Sequence, residues 1–289
     1  MMNDFFNQQK MESSLSIPRF VKILIKILNF FSSKLTTYLA AKLFTTPINF
    51  KTPKRELGMK NSAQNKNLYV ADIQKNIHLL SYGFSNKKVL LTHGWAGRST
   101  QLFMIANYLL ENGFMVISFD APSHGKSSGK TTNLLEYIAA IKAIHNNFGP
   151  FEAAIGHSFG AMAIVNTQAE TPIFKKIVTI GSGDKMSDII YSYAKNLGLT
   201  NMFGIQLLHY LNKKWKVNSD DFSTSTAASK VKVPTLVIHD VLDRDVFVSC
   251  AINIRLNLQS GILFVTNGLG HTKILRSKEV CKKIINFLK

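Results

Sequence analysis

Beyond residue 67 the apolar residues gather in short runs rich in Val, Ile and Leu, at 88–92, 115–119, 153–156, 176–180, 235–239 and 262–266. Runs of this kind, bounded by Gly, Pro, Asn and Ser, predict buried strands. Between most of them the apolar spacing changes to three and four, as at 100–111 and 134–147, which predicts helices. Strands alternating with helices imply an α/β fold with a mostly parallel sheet covered on both faces, and 68–80 is expected to add antiparallel strands at the edge. In such sheets reactive groups collect in the loops beyond the carboxyl ends of the strands.

The first 66 residues follow a different pattern. From Pro18 the run RFVKILIKILNFFSSKL puts Phe20, Ile23, Leu24, Ile27, Leu28 and Phe31 on one helical face and Lys22, Lys26 and Asn29 on the other. Two lysines interrupt it, and the chain holds no run of apolar residues long enough to span a bilayer, so no transmembrane helix is expected. Such a helix packs on the main domain or across a dimer interface, or else residues 18–35 make a peripheral contact with a membrane. The segment carries eleven Lys or Arg against Asp4, Glu12 and Glu56. It reads as a basic extension, 1–66, ahead of one domain at 67–289.

Composition narrows the classes further. A chain of 289 residues with 46% hydrophobic content can bury one large core. The net charge of +18 raises the question of nucleic acid, but most of the basic residues are Lys spread along the chain with no recognisable binding module, so nucleic acid is not an expected partner. The start, MMNDFFNQQKMESS, has no secretory pattern, and Cys250 and Cys281 are expected to be reduced thiols in a cytoplasmic protein. Neither H-E-x-x-H nor Cys-x-x-Cys occurs, so no metal and no organic cofactor is expected.

Five stretches follow predicted strands. His93-Gly94-Trp95-Ala96-Gly97 ends the first, and Asp120-Ala121-Pro122-Ser123-His124-Gly125-Lys126-Ser127 follows the second. The third leads into Gly156-His157-Ser158-Phe159-Gly160, a G-x-S-x-G pattern that sets a serine on a sharp strand-to-helix turn. A turn this tight brings residues two positions either side of the serine together, and Gly156 and Gly160 permit it without a clash. Two late strands end in His239-Asp240-Val241-Leu242-Asp243-Arg244-Asp245 and Asn267-Gly268-Leu269-Gly270-His271-Thr272. Asp120, Ser127 and His124 read as loop-forming residues, since short polar side chains in turns bond their own backbone.

In this order the stretches resemble the α/β-hydrolase fold superfamily, and within it the serine esterases and lipases. Segment 120–127 is similar to its D-x-x-G-x-G-x-S stretch, with Ser123 at the first glycine, and 239–243 to its H-G-x-x-D stretch, with Asp240 at the glycine. The resemblance implies an eight-stranded sheet with helices on both faces, Ser158 as nucleophile, His271 as base and Asp243 as the acid that orients it, with Asp184 as the competing acid. It also implies an oxyanion hole made by the N–H groups of Trp95 and Phe159. The long connection before Pro234 implies a small helical lid at about 184–229, where Tyr191, Phe203, Leu207, Leu208 and Trp215 either line an acyl site or pack on the sheet. The expected substrate is a small-molecule acyl ester or thioester, cleaved through an acyl-enzyme. A non-catalytic binding protein of the same fold and a membrane-surface hydrolase of lipid esters stay open as alternatives.

Overall fold

In the computed structural model, which describes residues 17–289, the chain opens with two helices, α1 (Arg19–Phe31) and α2 (Ser33–Phe44). The periodicity predicted one helix from Pro18, but Ser32 divides it. The extended backbone of Ser32 (φ −154°, ψ 100°) stops α1, and its hydroxyl accepts from the Leu35 N–H to cap α2. Serine bonds nearby backbone outside helical geometry and so favours caps over helix interiors. Helix α1 is also turned the other way from its composition. Its buried residue is Ile25, with Val21 partly buried beside it, while Phe20, Ile23, Leu24, Ile27, Phe30 and Phe31 face outward. Helix α2 buries Thr36, Thr37, Ala40 and Ala41, small side chains that allow a close approach to the body of the protein.

After α3 (Leu57–Ser62) come β1 (Gln64–Val70), β2 (Lys75–Tyr82) and β3 (Lys88–Thr92). The chain then alternates through α4 (Phe103–Glu111), β4 (Met115–Phe119), α5 (Leu134–Phe148), β5 (Phe151–His157), α6 (Phe159–Glu170) and β6 (Phe174–Ile180). Helices α7 (Met186–Asn196), α8 (Asn201–Trp215) and α9 (Thr224–Ala228) fill the long connection to β7 (Thr235–Asp240). Helix α10 (Val248–Asn257), β8 (Gly261–Thr266), α11 (Gly270–Lys273) and α12 (Lys278–Leu288) complete the chain.

The eight strands form one sheet in the order β1-β2-β4-β3-β5-β6-β7-β8. The β1/β2 and β2/β4 pairs are antiparallel and the others are parallel. Strand β3 lies between β4 and β5, so the chain leaves it toward one edge and returns toward the other. That reversal opens a crevice at the carboxyl ends of β3 and β5, where ligands bind in open α/β sheets.

Alternation along the strands divides the core in two. Leu90, Ala154, Ile177 and Val237 join one cluster with Ile25, Ala40, Tyr137 and Met162. Their neighbours Val89, Leu91, Ile155, Val178 and Ile238 join the other, with Met59, Ile105, Leu109 and Ile284. Both faces of the central strands are therefore dry, which is why those strands read as unbroken apolar runs, whereas the edge strands β1 and β8 are more exposed.

The residues ahead of β1 are built into this body. Glu56 is buried and accepts two hydrogen bonds from the Arg98 guanidinium (2.7 and 3.1 Å) and one from the Thr100 hydroxyl (2.6 Å), which ties the extension to the loop after β3. Removing one partner of a buried pair leaves the other charge uncompensated. Glu56→Ala is expected to lower unfolding stability by about 3–5 kcal/mol, measured by urea denaturation. A loss within experimental error would mean that the pair is not desolvated.

Candidate active site

Ser158 sits at the junction of β5 and α6 with φ 51° and ψ −119°, a conformation that costs a non-glycine residue about 1–3 kcal/mol. The turn is held from both sides. The Ser158 N–H donates to the Ile180 carbonyl (2.9 Å), and its own carbonyl accepts from Ala161 and Met162. A Cβ at Gly156 would meet the backbone of Ala161, and one at Gly160 would meet the carbonyls of Thr92 and His93, so larger residues are barred from both places. Ser158 is half-buried.

His271 stands at the start of α11 and Asp243 in the loop after β7. His271 Nδ1 lies 2.7 Å from Asp243 Oδ2, and Asp243 Oδ1 accepts the N–H groups of Asp245 and Val246 (2.9 Å each). In the neutral ring, donation of Nδ1–H to the carboxylate makes Nε2 the acceptor nitrogen. The pair sits beside the serine turn. A Cβ on Gly181, the residue after Ile180, would lie 3.2 Å from His271 Nδ1 and 3.5 Å from Asp243 Oδ2. From the other side His157, next to Ser158, donates Nε2–H to the His271 carbonyl (2.9 Å), and the two rings are 4.6 Å apart. Among the described residues no hydrogen bond joins the Ser158 hydroxyl to His271. Such contacts are often long before substrate binds.

Sequence reasoning missed the residue that assembles this pair. Asp240 Oδ1 accepts from Leu242 N–H (3.0 Å) and Gly270 N–H (2.9 Å), while Oδ2 accepts from the Thr266 hydroxyl (2.7 Å) and Leu269 N–H (3.0 Å). One carboxylate thus ties the loop carrying Asp243 to the loop carrying His271. Burial pushes its pKa up, but the hydrogen bonds from Gly270, Thr266, Leu269 and Leu242 outweigh burial and hold it below the usual carboxylate value. Its signal in the sequence was the acid at a position where the resembled pattern has glycine.

The loop after β3 closes the crevice from the opposite side. Gly94 to Gly97 form a turn closed by a Gly97 N–H to Gly94 carbonyl bond (3.0 Å), with Ala96 at φ 55°. A Cβ at Gly94 would fall 2.9 Å from Ser158 Cβ, so the Trp95 peptide lies close to the serine. The Phe159 N–H is the first of α6 and has no intrahelical acceptor.

Two buried imidazoles hold that turn. His93 donates Nδ1–H to the Gly94 carbonyl (2.7 Å) and accepts the Ala121 N–H at Nε2 (2.9 Å). His124 donates Nδ1–H to the Pro122 carbonyl (3.0 Å) and accepts the Ala96 N–H at Nε2 (3.1 Å). Both acceptor roles require neutral rings, and burial supplies the neutrality. It lowers the pKa of His93, and with the neighbouring His93 it pushes His124 down to about 3. Asp120 binds the Ser99 and Lys126 N–H groups and His78 Nδ1, and these bonds outweigh its burial and hold its pKa far below the usual range. Trp95 packs edge-on against Phe159 and stacks with Phe44 of α2, so the first helical pair reaches the rim of the crevice.

Other candidates are engaged elsewhere. The Asp184 carboxylate accepts from Ser225 N–H (2.8 Å) and Asn253 Nδ2 (3.3 Å) and does not meet His271. Phe203 and Leu207 are buried in the core and Leu208 and Trp215 pack against it, the packing alternative for these residues. Asp243, Asp245 and His271 each offer one ligand atom, all within 4.8 Å of one another. The Asp243 oxygens are already taken up by two N–H groups and the imidazole, an arrangement that suits orienting a histidine better than holding a cation. Cys250 and Cys281 are free thiols whose pKa values burial pushes up to about 12.

A family model described as the alpha/beta hydrolase fold matches residues 87–215, from the start of β3 to the end of α8. No curated protein matches the sequence. Among solved structures, an esterase of Pyrococcus furiosus superposes with a TM-score of 0.64 at 19% identity, over 84% of this chain and 97% of that one. An esterase from Exiguobacterium antarcticum gives 0.62 at 17% identity, over 78% and 99%. A membrane phospholipase A described as a bacterial virulence factor gives 0.64 at 17% identity, over 94% and 98%. With the strand order, the reversal at β3 and the family match falling on the same stretch, the chain has the α/β-hydrolase fold.

Proposed function

We propose that the protein is a serine hydrolase that cleaves a carboxylic ester or thioester through an acyl-enzyme on Ser158. The observation that carries this reading is the 2.7 Å contact between His271 Nδ1 and Asp243, beside the strained serine turn. His271 Nε2 takes the Ser158 proton as the hydroxyl oxygen attacks the acyl carbon, and Asp243 holds the ring in the required tautomer. The N–H groups of Trp95 and Phe159 receive the developing oxyanion, each worth about 3–4 kcal/mol in such sites. The proton then passes from His271 to the leaving alcohol or thiol, and water, activated by the same imidazole, releases the acid. Similarity to two esterases and a phospholipase A supports an ester as the substrate class.

Ser158→Ala is expected to keep its fold by circular dichroism and to lose several powers of ten in turnover of p-nitrophenyl esters. Retained activity would refute the assignment. Asp240→Ala leaves the three proposed catalytic groups in place but frees the loop that carries His271, and kcat/KM should fall on the order of 100-fold. An unchanged kcat/KM would show that Asp243 alone positions the imidazole.

The neutral imidazoles give a pH prediction with a definite sign. An unfolded histidine binds its proton near pH 6.5, whereas His124 in the folded chain does so near 3. Between those values the unfolded state holds more protons, so this contribution is complete above about pH 6.5 and is lost as pH falls toward 3. The urea midpoint should therefore drop across that window. His124→Gln should reduce the slope of stability against pH by up to about 1.4 kcal/mol per unit. An equally steep dependence in the variant would exclude His124 as a source.

A further inference from the structure

We propose that the outward face of α1 docks the protein on a phospholipid bilayer bearing anionic headgroups. Phe20, Ile23, Leu24, Ile27, Phe30 and Phe31 project from this face, the three phenylalanines at 71%, 85% and 78% exposure. At 100° per residue the six span an arc of about 120°, the width by which a helix ordinarily buries itself in a core. In this protein the arc points away from the core, and contact with the body falls to Val21 and Ile25 on the other side. The patch continues past the helix. The Ser33 hydroxyl donates to Gln206 of α8 (2.9 Å), and Leu35 of α2 and Met202 and Ile205 of α8 are exposed as well. Contiguous apolar surface of this kind marks an interaction site.

Charge selects the occupant. Arg19, Lys22 and Lys26 lie along one edge of the arc, Lys34 follows, and 19–34 contains no acidic residue. A second copy on this face would bring the same cations together, in a protein whose net charge is already +18. A bilayer with anionic lipid instead takes the apolar arc into the acyl boundary and neutralises the basic edge at the level of the headgroups. Lysine stems suit that edge, because their methylenes lie along apolar surface while the ammonium stays in the wet layer. No helix among the described residues is long and apolar enough to cross a membrane, so the contact is with one leaflet. The α1–α2 pair ends at Phe44, stacked on Trp95, which links the docked helix through α2 to the rim of the crevice. Delivery of lipid esters to Ser158 would follow from that placement, and this consequence, unlike docking itself, rests on the proposed hydrolysis.

The test is co-sedimentation of the full chain with phosphatidylcholine vesicles, with and without phosphatidylglycerol. Wild-type protein is expected in the pellet with the anionic vesicles at low salt and to be released as salt rises. Leu24→Ser combined with Phe30→Ser removes apolar area from exposed positions, and binding should weaken at least about tenfold with Tm and hydrolysis of a soluble ester unchanged. Ser158→Ala should sediment as the wild type does, so that loss of docking and loss of hydrolysis are read separately. The proposal is overturned if wild-type protein stays in the supernatant with both kinds of vesicle, or if the double variant binds as well as the wild type. Binding that appears only after deletion of residues 1–16 would make that segment the occupant instead. A wild-type dimer in analytical ultracentrifugation that the two substitutions dissociate would assign the face to a second copy.

Discussion

Backbone N–H groups at the carboxyl edge of the sheet cannot be left unpaired where water is excluded, and the crevice takes its shape from the side chains that pair them. Asp240 gathers three N–H groups from two loops, Asp243 two more, and Asp120 another two. His93 and His124 each take one at a ring nitrogen. The loops after β3, β4, β7 and β8 carry little regular structure of their own. Their conformations are set by these five acceptors, and the positions of Trp95, Asp243 and His271 follow from them.

The same rule divides the ionisable groups by charge. Carboxylates that accept several N–H bonds are held in the charged form despite burial, as at Asp120 and Asp240. Imidazoles whose acceptor nitrogen is in use are held neutral, as at His93 and His124. His157, under the serine turn, is buried and pushed the same way, first by desolvation and then by the neighbouring His271. The framework around His271 thus keeps one protonation pattern near neutral pH, a requirement for any group that must exchange a proton beside it.

Much of the fold was legible because both faces of the central strands are covered. The runs at 88–92 and 115–119 coincide with β3 and β4, and β5 to β8 extend the predicted runs by one to three residues, while β1 begins four residues before the predicted edge at 68. The motif order located the loops at the right strand ends, and the G-x-S-x-G pattern marked a turn that does hold a serine at positive φ. Helix α2 was missed because it buries threonine and alanine, which leave no strong apolar period. The orientation of α1 was illegible for another reason: periodicity shows that a helix has two unlike faces but not which of them meets the protein. His124 forms its own loop as expected, but its link to Ala96 and that of Asp240 to Leu269 and Gly270 escaped because these partners are backbone groups distant in the chain, and a backbone N–H has no letter in a sequence.

The carboxylate of Asp240 has a consequence for how this edge of the molecule can change. Because it clasps both the turn after β7 and the peptide groups at Leu269 and Gly270, lengthening either loop by one residue pulls the other out of register. The two segments would therefore have to be transplanted into another scaffold as one piece. A chimera whose breakpoint falls between residues 241 and 268 would join halves that were never fitted to each other.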